Sequence, residues 1–206
     1  MPDVPKLTSI QPDQLEEASQ MLARAFFDDP MVEYIMPDPA RRERQLPWFF
    51  RLATRYGQQY GETYTLPGAV AGAAIWLPPG GSTASTVRMI RLGLLAGIYR
   101  FGPPSFLKFI SVMNSLEHLH KRDVPPEHWY LFVLGVDPTR QGQGVGRTII
   151  QPVLERADKD HLPCYLETMK ERNVTFYRKH GFQAVEECSV PKGGPRYWTM
   201  KREPIG

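Results

Sequence analysis

A chain of 206 residues is long enough for one domain with a sizeable buried core. Its 42% apolar and 11% aromatic content excludes an intrinsically disordered chain. With 25 Lys and Arg against 22 Asp and Glu, the net charge is only +3, too small a surplus for a surface built to neutralise nucleic-acid phosphates.

The opening residues Met1-Pro2-Asp3-Val4-Pro5 lack a basic stretch followed by an apolar run, so no signal peptide is expected. Residues 6–10 read as a short strand. Pro12 suits a first helical position ahead of Leu15, Ala18, Leu22, Ala25 and Phe26, which recur at helical spacing, and Asp28-Asp29-Pro30 ends that helix. A second helix is expected over 40–60, with Leu46, Phe49, Phe50, Ala53 and Tyr56 on one side. Residues 62–66 and 69–77 read as two strands joined at Pro67-Gly68, and the second stops at Pro78-Pro79-Gly80-Gly81. Residues 82–127 look like a helical insertion: a Gly/Ser/Thr loop up to Thr86, then apolar-faced helices over 86–100 and 104–120. The apolar run from Leu92 to Tyr99 is interrupted by Gly and flanked by Arg91 and Arg100. A membrane span needs about 20 apolar residues, so none is expected here.

The next strand, Trp129 to Val136, is almost continuously apolar, as a strand covered on both faces should be. A glycine-rich turn follows, then a helix bearing Ile149, Ile150, Val153, Leu154 and Ala157, with Pro152 inside it expected to kink it or remove one backbone bond. Residues 164–168 form another strand. Asn173 to His180 reads as a short helix closed by Gly181, and two last strands run over 183–190 and 196–201. The 20 prolines fall mostly where elements end, and no repeat is present. Two cysteines, Cys164 and Cys188, make no disulfide framework and no zinc spacing, so a reducing cytoplasm and no metal are expected. The class is α/β or α+β with one sheet, in a single domain over 1–206 carrying an insertion over about 82–127.

The chemistry lies in the turn. A helix N-terminus offers unpaired N–H groups and the positive end of its dipole, and Gly142, Gly144 and Gly146 remove the side chains that would keep an anion away. Three phosphate-binding patterns compete. GxxxxGK[ST] finds no lysine-hydroxyl pair here. GxGxxG fails because the glycines after Gly142 fall at +2 and +4, and no N-terminal βαβ unit surrounds them. The pattern [Gln/Arg]-x-x-Gly-x-[Gly/Ala] is filled without a gap by Gln141, Gly144 and Gly146.

With that motif after a strand ending Gly-Val-Asp-Pro, and with Asn173-Val174-Thr175-Phe176-Tyr177-Arg178-Lys179-His180-Gly181-Phe182 matching N-x-x-x-FY-x-x-x-GF, the chain resembles the GNAT superfamily of N-acetyltransferases. Leu166-Glu167-Thr168, Gln151-Pro152 and the stretch from Val190-Pro191 through Trp198 look similar to its puromycin N-acetyltransferase-like branch, with weaker echoes at Asp28-Asp29-Pro30 and over 74–78. The resemblance implies a GNAT fold: one mixed, mostly antiparallel sheet, splayed at the acetyl-CoA site, with helices on both faces. It also implies acetyl-CoA as cosubstrate and direct attack by the amine in a ternary complex, with positioning and oxyanion stabilisation supplying the rate.

The resemblance assigns roles. Leu134, Gly135 and Val136 hold the pantetheine arm through their backbone. Gln141, Gly142, Gln143, Gly144, Val145, Gly146 and Arg147 hold the diphosphate by backbone amides, with Arg140 and Arg147 as possible charge partners. Asn173 contacts the arm, or caps its helix, or both. Tyr177 is the acid that protonates the departing thiolate, its alternative being a core tyrosine. Glu167, mid-strand, is either the general base or a buried structural partner. Glu117, His118 and His120 either line an acceptor pocket or form a solvated helix end. Both cysteines read as small apolar residues.

The expected acceptor is a primary amine on a small, partly hydrophobic molecule, bound in a cleft where Trp48, Phe49, Tyr56, Trp76 and Trp198 gather. No dense acidic patch marks a polycationic acceptor. The alternatives are a protein or peptide N-acetyltransferase, or a non-catalytic acetyl-CoA-binding module. Neither nucleic acid nor membrane is an expected partner, and the chain is expected as a monomer or homodimer.

Overall fold

The computed structural model describes residues 7–81 and 85–205, with the backbone alone at Thr86. The expectations at residues 1–6 and for the loop at 82–84 lie outside the described residues. In place of a first strand, Thr8 makes a single bridge to Thr65. A 3-10 turn at Pro12–Gln14 leads into α1 (Leu15–Ala25), which buries Ala18, Met21 and Leu22. The sequence stop at Asp28-Asp29-Pro30 is also a start. The Asp29 carboxylate accepts from the Met31 amide at 3.0 Å, and Pro30 opens the short α2 (Pro30–Ile35). Asp38 caps α3 (Pro39–Tyr60) in the same way.

Strands β1 (Glu62–Thr65) and β2 (Gly72–Leu77) pair antiparallel. The expected first insertion helix is broken in two, α4 (Thr86–Arg91) and α5 (Ala96–Phe101), because the turn between them places Gly93 at φ +108°. Helix α6 (Pro103–Asp123) runs three residues beyond its expected end. Then follow β3 (Trp129–Val136), α7 (Val145–Lys159), β4 (Cys164–Thr168), α8 (Glu171–Arg178), β5 (Gln183–Ser189) and β6 (Arg196–Arg202). Pro152 does not interrupt α7. The cost is confined to the ladder bond that residue 152 cannot donate.

The strands form one sheet in the order β1-β2-β3-β4-β6-β5, with β3–β4 the single parallel pair. Two apolar cores cover its faces. Helices α1, α3 and the insertion pack with Ile75, Val133 and Tyr165 on one face, and α7 and α8 with Trp76, Leu131, Leu166 and Met200 on the other. Gly135 lets α1 lie close, since a Cβ there would come within 2.5 Å of Leu22 Cδ2.

Two irregularities open the sheet. Partners of β2 jump from Val133 opposite Ile75 to Leu131 opposite Trp76, so Phe132 is an extra residue, a bulge in β3. Beside it, β3 and β4 pair only at Trp129–Cys164 and Tyr130–Tyr165. Beyond those rungs the strands diverge, which is the splay that the sequence resemblance implies.

Candidate active site

Three segments meet at the splay: the C-terminal part of β3, the end of β4 with the turn into α8, and the insertion helices. They enclose a cavity of about 230 Å³, the share of roughly eight waters at about 30 Å³ each. Tyr130 to Leu134 line it from β3, Glu167 to Met169 from β4, and Asn173 and Tyr177 from α8. Leu134, Glu167, Asn173 and Tyr177, singled out in the sequence, therefore share one cavity. A second, open groove of about 670 Å³ lies between the end of α1, the Pro138–Gln141 turn and residues 169–172, lined by Arg24, Lys170 and Arg172 and by the carboxylates Asp28 and Glu171.

The glycine turn is built as its composition requires. Asp137 accepts from the Thr139 amide at 3.0 Å and hydroxyl at 2.7 Å, and pairs with Arg24 of α1 at 2.6 Å. These partners, the Thr139 hydroxyl foremost, hold the Asp137 carboxyl down at about 2. Gly142 and Gly144 have φ of +77° and +81°, and no atom lies within 4 Å of where their Cβ would be. Side-chain space at both positions is open, and Gly144 is the N-cap residue of α7. Gln141 folds back, its amide donating to the Val136 carbonyl at 3.2 Å, which fixes the turn to the end of β3. Arg140 and Arg147 are exposed.

The helix-cap reading of Asn173 is corrected. Helix α8 starts two residues earlier, so Asn173 lies inside its first turn, and its side chain donates to Thr168 Oγ1 at 3.1 Å. Tyr177 is 7% exposed, and among the described residues its hydroxyl has no hydrogen-bond partner. Burial, then the Asp29 charge, push the phenol well above its ordinary range, so it stays protonated and able to donate.

Glu167 is buried. Its Oε2 accepts from the Tyr130 hydroxyl at 2.7 Å, while Oε1 has no partner among the described residues. Burial pushes its carboxyl up to about 8. A carboxyl with one satisfied and one idle oxygen facing a cavity can take up a proton near neutral pH. Glu117 and His120 also line the cavity, but the Glu117 side chain is half-exposed and pairs with Lys121 at 2.6 Å, and His118 is exposed, so the helix end is solvated at both Glu117 and His118. Burial pushes the thiols of Cys164 up to about 12 and Cys188 up to about 11, which suits inert residues.

Of the five aromatics expected around the acceptor, only Phe49 lines the cavity. Trp76 and Trp198 point to the opposite face, Tyr56 is fully buried with its hydroxyl accepting from the Ser85 amide, and Trp48 packs on Phe101. Their places are taken by Phe26, Phe50, Phe109, Phe132 and methionines 31, 89 and 113. Sequence reasoning also missed Asp29, 7% exposed and lining the cavity, and Tyr130, the partner of Glu167. The pairing of β4 with β3 at Tyr130 is what brings Tyr130 to Glu167, and no local pattern reports it.

The acetyltransferase (GNAT) family model matches residues 105–182. A Schizosaccharomyces pombe protein described as an uncharacterized N-acetyltransferase is 27% identical over 84% of this chain and 72% of its own length. Two further matched proteins are much longer, the chain spanning 30% and 22% of them. A Corynebacterium glutamicum structure described as histone acetyltransferase HPA2 and related acetyltransferase is similar in fold, with TM-score 0.68 and 21% identity over 98% of this chain and 97% of that one. Arylalkylamine N-acetyltransferase 2 from Aedes aegypti is similar with TM-score 0.64 and 14% identity, covering 97% of this chain and 99% of its own.

Proposed function

We propose that the chain, which has the GNAT fold, is an acetyl-CoA-dependent N-acetyltransferase whose acceptor is the primary amine of a small, partly hydrophobic molecule. The observation that carries this reading is the cavity at the splay. Its wall is aromatic and methionine-rich, three carboxyl residues (Asp29, Glu117 and Glu167) face it, and α4 to α6 cover it. An amine with an apolar body fits such a lining: the cationic head seeks the carboxylates, and the body displaces water from the rings. A peptide chain would need an open groove, which the insertion occupies.

The residues present fit acetyl-CoA. The open space where side chains at 142 and 144 would stand, the dipole of α7 and the Lys170 and Arg172 charges of the groove are suited to its diphosphate. When bound, the thioester supplies an activated acetyl group. Gln141 to Arg147 would hold the diphosphate, and Leu134, Gly135 and Val136, on the β3 edge that β4 leaves unpaired, would hold the arm with Asn173. Glu167 takes a proton from the acceptor ammonium at Oε1, leaving a nucleophilic nitrogen. Tyr177 donates its hydroxyl proton to the departing sulfur. No helix of the described residues is long and apolar enough to cross a membrane.

The test is thiol release from acetyl-CoA across a panel of arylalkylamines, polyamines, puromycin and N-terminal peptides. Turnover should favour amines with an apolar body. Preference for peptides would replace this acceptor class, and cofactor binding without turnover on any amine would leave a binding module.

A further inference from the structure

Glu167 is one end of a polar chain that runs from the cavity into the protein. At the far end, His128 Nδ1 lies 2.6 Å from the Pro125 carbonyl oxygen. A carbonyl only accepts, so this nitrogen carries the hydrogen, and the Nε2 of a neutral His128 is left as a lone pair. His120 Nε2 lies 2.7 Å from that lone pair and must therefore donate to it. The ring of His120 is thereby committed: in its neutral form Nδ1 is bare. That bare nitrogen faces Glu167 Oε1 at 3.9 Å, the buried oxygen that has no other partner. The ring is held in this attitude by stacking on Tyr165, with centroids 4.5 Å and planes 26° apart, and by contact with Tyr130 at 4.3 Å. Burial pushes both histidines down, His120 to about 3 with His128 and Lys121 adding to the effect, so both are neutral in the resting protein.

We propose that His120, its tautomer fixed by His128, is a positioning residue for Glu167: its bare Nδ1 faces Oε1 and accepts from that oxygen when it carries the proton taken from the acceptor ammonium. The inference rests on Glu167 being the base. An ammonium N–H bond breaks as the Oε1–H bond forms, which leaves the amine lone pair free. The Oε1–H is then held toward His120 Nδ1, and the ring stays neutral with its Nε2–H on His128. The 3.9 Å gap is longer than a hydrogen bond, so this contact closes through a small rotation of the carboxyl or one bridging water. The proton returns to solvent after the product leaves. Other titratable groups facing Glu167 are Tyr130 from β3, Tyr165 from β4, Asp123 from α6 and Tyr197 from β6, with Glu117 lining the same cavity. Lys121 bears on His120, and Glu127 and Lys201 on His128.

The test combines kinetics with the unmodified protein. His120→Phe, which cannot accept from the protonated carboxyl, should lower kcat about 10- to 100-fold and move the acid limb of its pH profile downward, leaving the KM for acetyl-CoA within about twofold. In a Glu167→Gln background the same change should have no further effect. Wild-type kcat and an unmoved limb in His120→Phe, with Glu167→Gln slow, would overturn the positioning role alone. A Glu167→Gln enzyme as fast as wild type would overturn the base reading beneath it. Should His120→Phe fail to fold, nitrogen NMR of the wild-type histidines decides. Hydrogen on His120 Nε2 and His128 Nδ1 is the expected pattern, and hydrogen on His120 Nδ1 in the ligand-free protein at neutral pH would sink the positioning role.

Discussion

Glu167 and Tyr177 are both titratable groups moved by burial, and their shifts predict opposite things. The carboxyl of Glu167, pushed up to about 8, is largely protonated at neutral pH. A base must be ionised before it acts, so kcat/KM should rise through pH 8 and level off above it. Glu167→Gln should remove that limb and cost about 10²- to 10⁴-fold in turnover, read by thiol release. The stability sign follows from the same shift. A folded-state value above the ordinary 4.5 means the folded chain binds the proton more tightly, so this contribution is full below pH 4.5 and lost as pH rises through 8. Thermal midpoints should therefore fall between pH 6 and 9 in the wild type, and fall less in Glu167→Gln. Tyr177, raised above its ordinary range, stays protonated throughout that interval. Tyr177→Phe should lose about 10²-fold in kcat while calorimetry shows coenzyme A binding almost unchanged.

Among the elements, the turn after β3 was legible residue by residue, because its chemistry is local. Gly142 and Gly144 have positive φ, and a spacing of glycines at a helix mouth reports that directly. Gly144→Ala would meet no neighbour, yet would force an L-residue into the left-handed region at about 1–2 kcal/mol. If the strain is relieved by turning the amides away, affinity for coenzyme A should drop by roughly 5- to 30-fold, measurable by calorimetry. The tether from Arg24 to Asp137 was not legible, since it joins positions 113 apart. Asp137 is held down at about 2, so its contribution is present above pH 3.8 and lost as pH falls toward 2. Arg24→Ala should weaken coenzyme A binding and make the acid loss shallower. The insertion shows the opposite failure. Its apolar periodicity was read as one helix over 86–100, but Gly93 interrupts the backbone where the pattern continues. Hydrophobic spacing marks a face and is blind to a break within it.

Over the whole molecule, the sheet and its helices were readable because each strand carried its own punctuation, whereas the cavity was not. Which aromatics line it depends on which face of the sheet each strand residue takes. Trp76 and Ile75 are neighbours in sequence, yet they belong to the two separate cores. The divergence of β3 from β4 has a mechanical side. Only two rungs, at Trp129 and Tyr130, stitch the β1-β2-β3 half of the sheet to the β4-β6-β5 half. A guest that lies along that seam adds rungs the chain itself withholds. It would act as a zip between two half-sheets, slowing amide hydrogen exchange across residues 131–136 and 166–168 together.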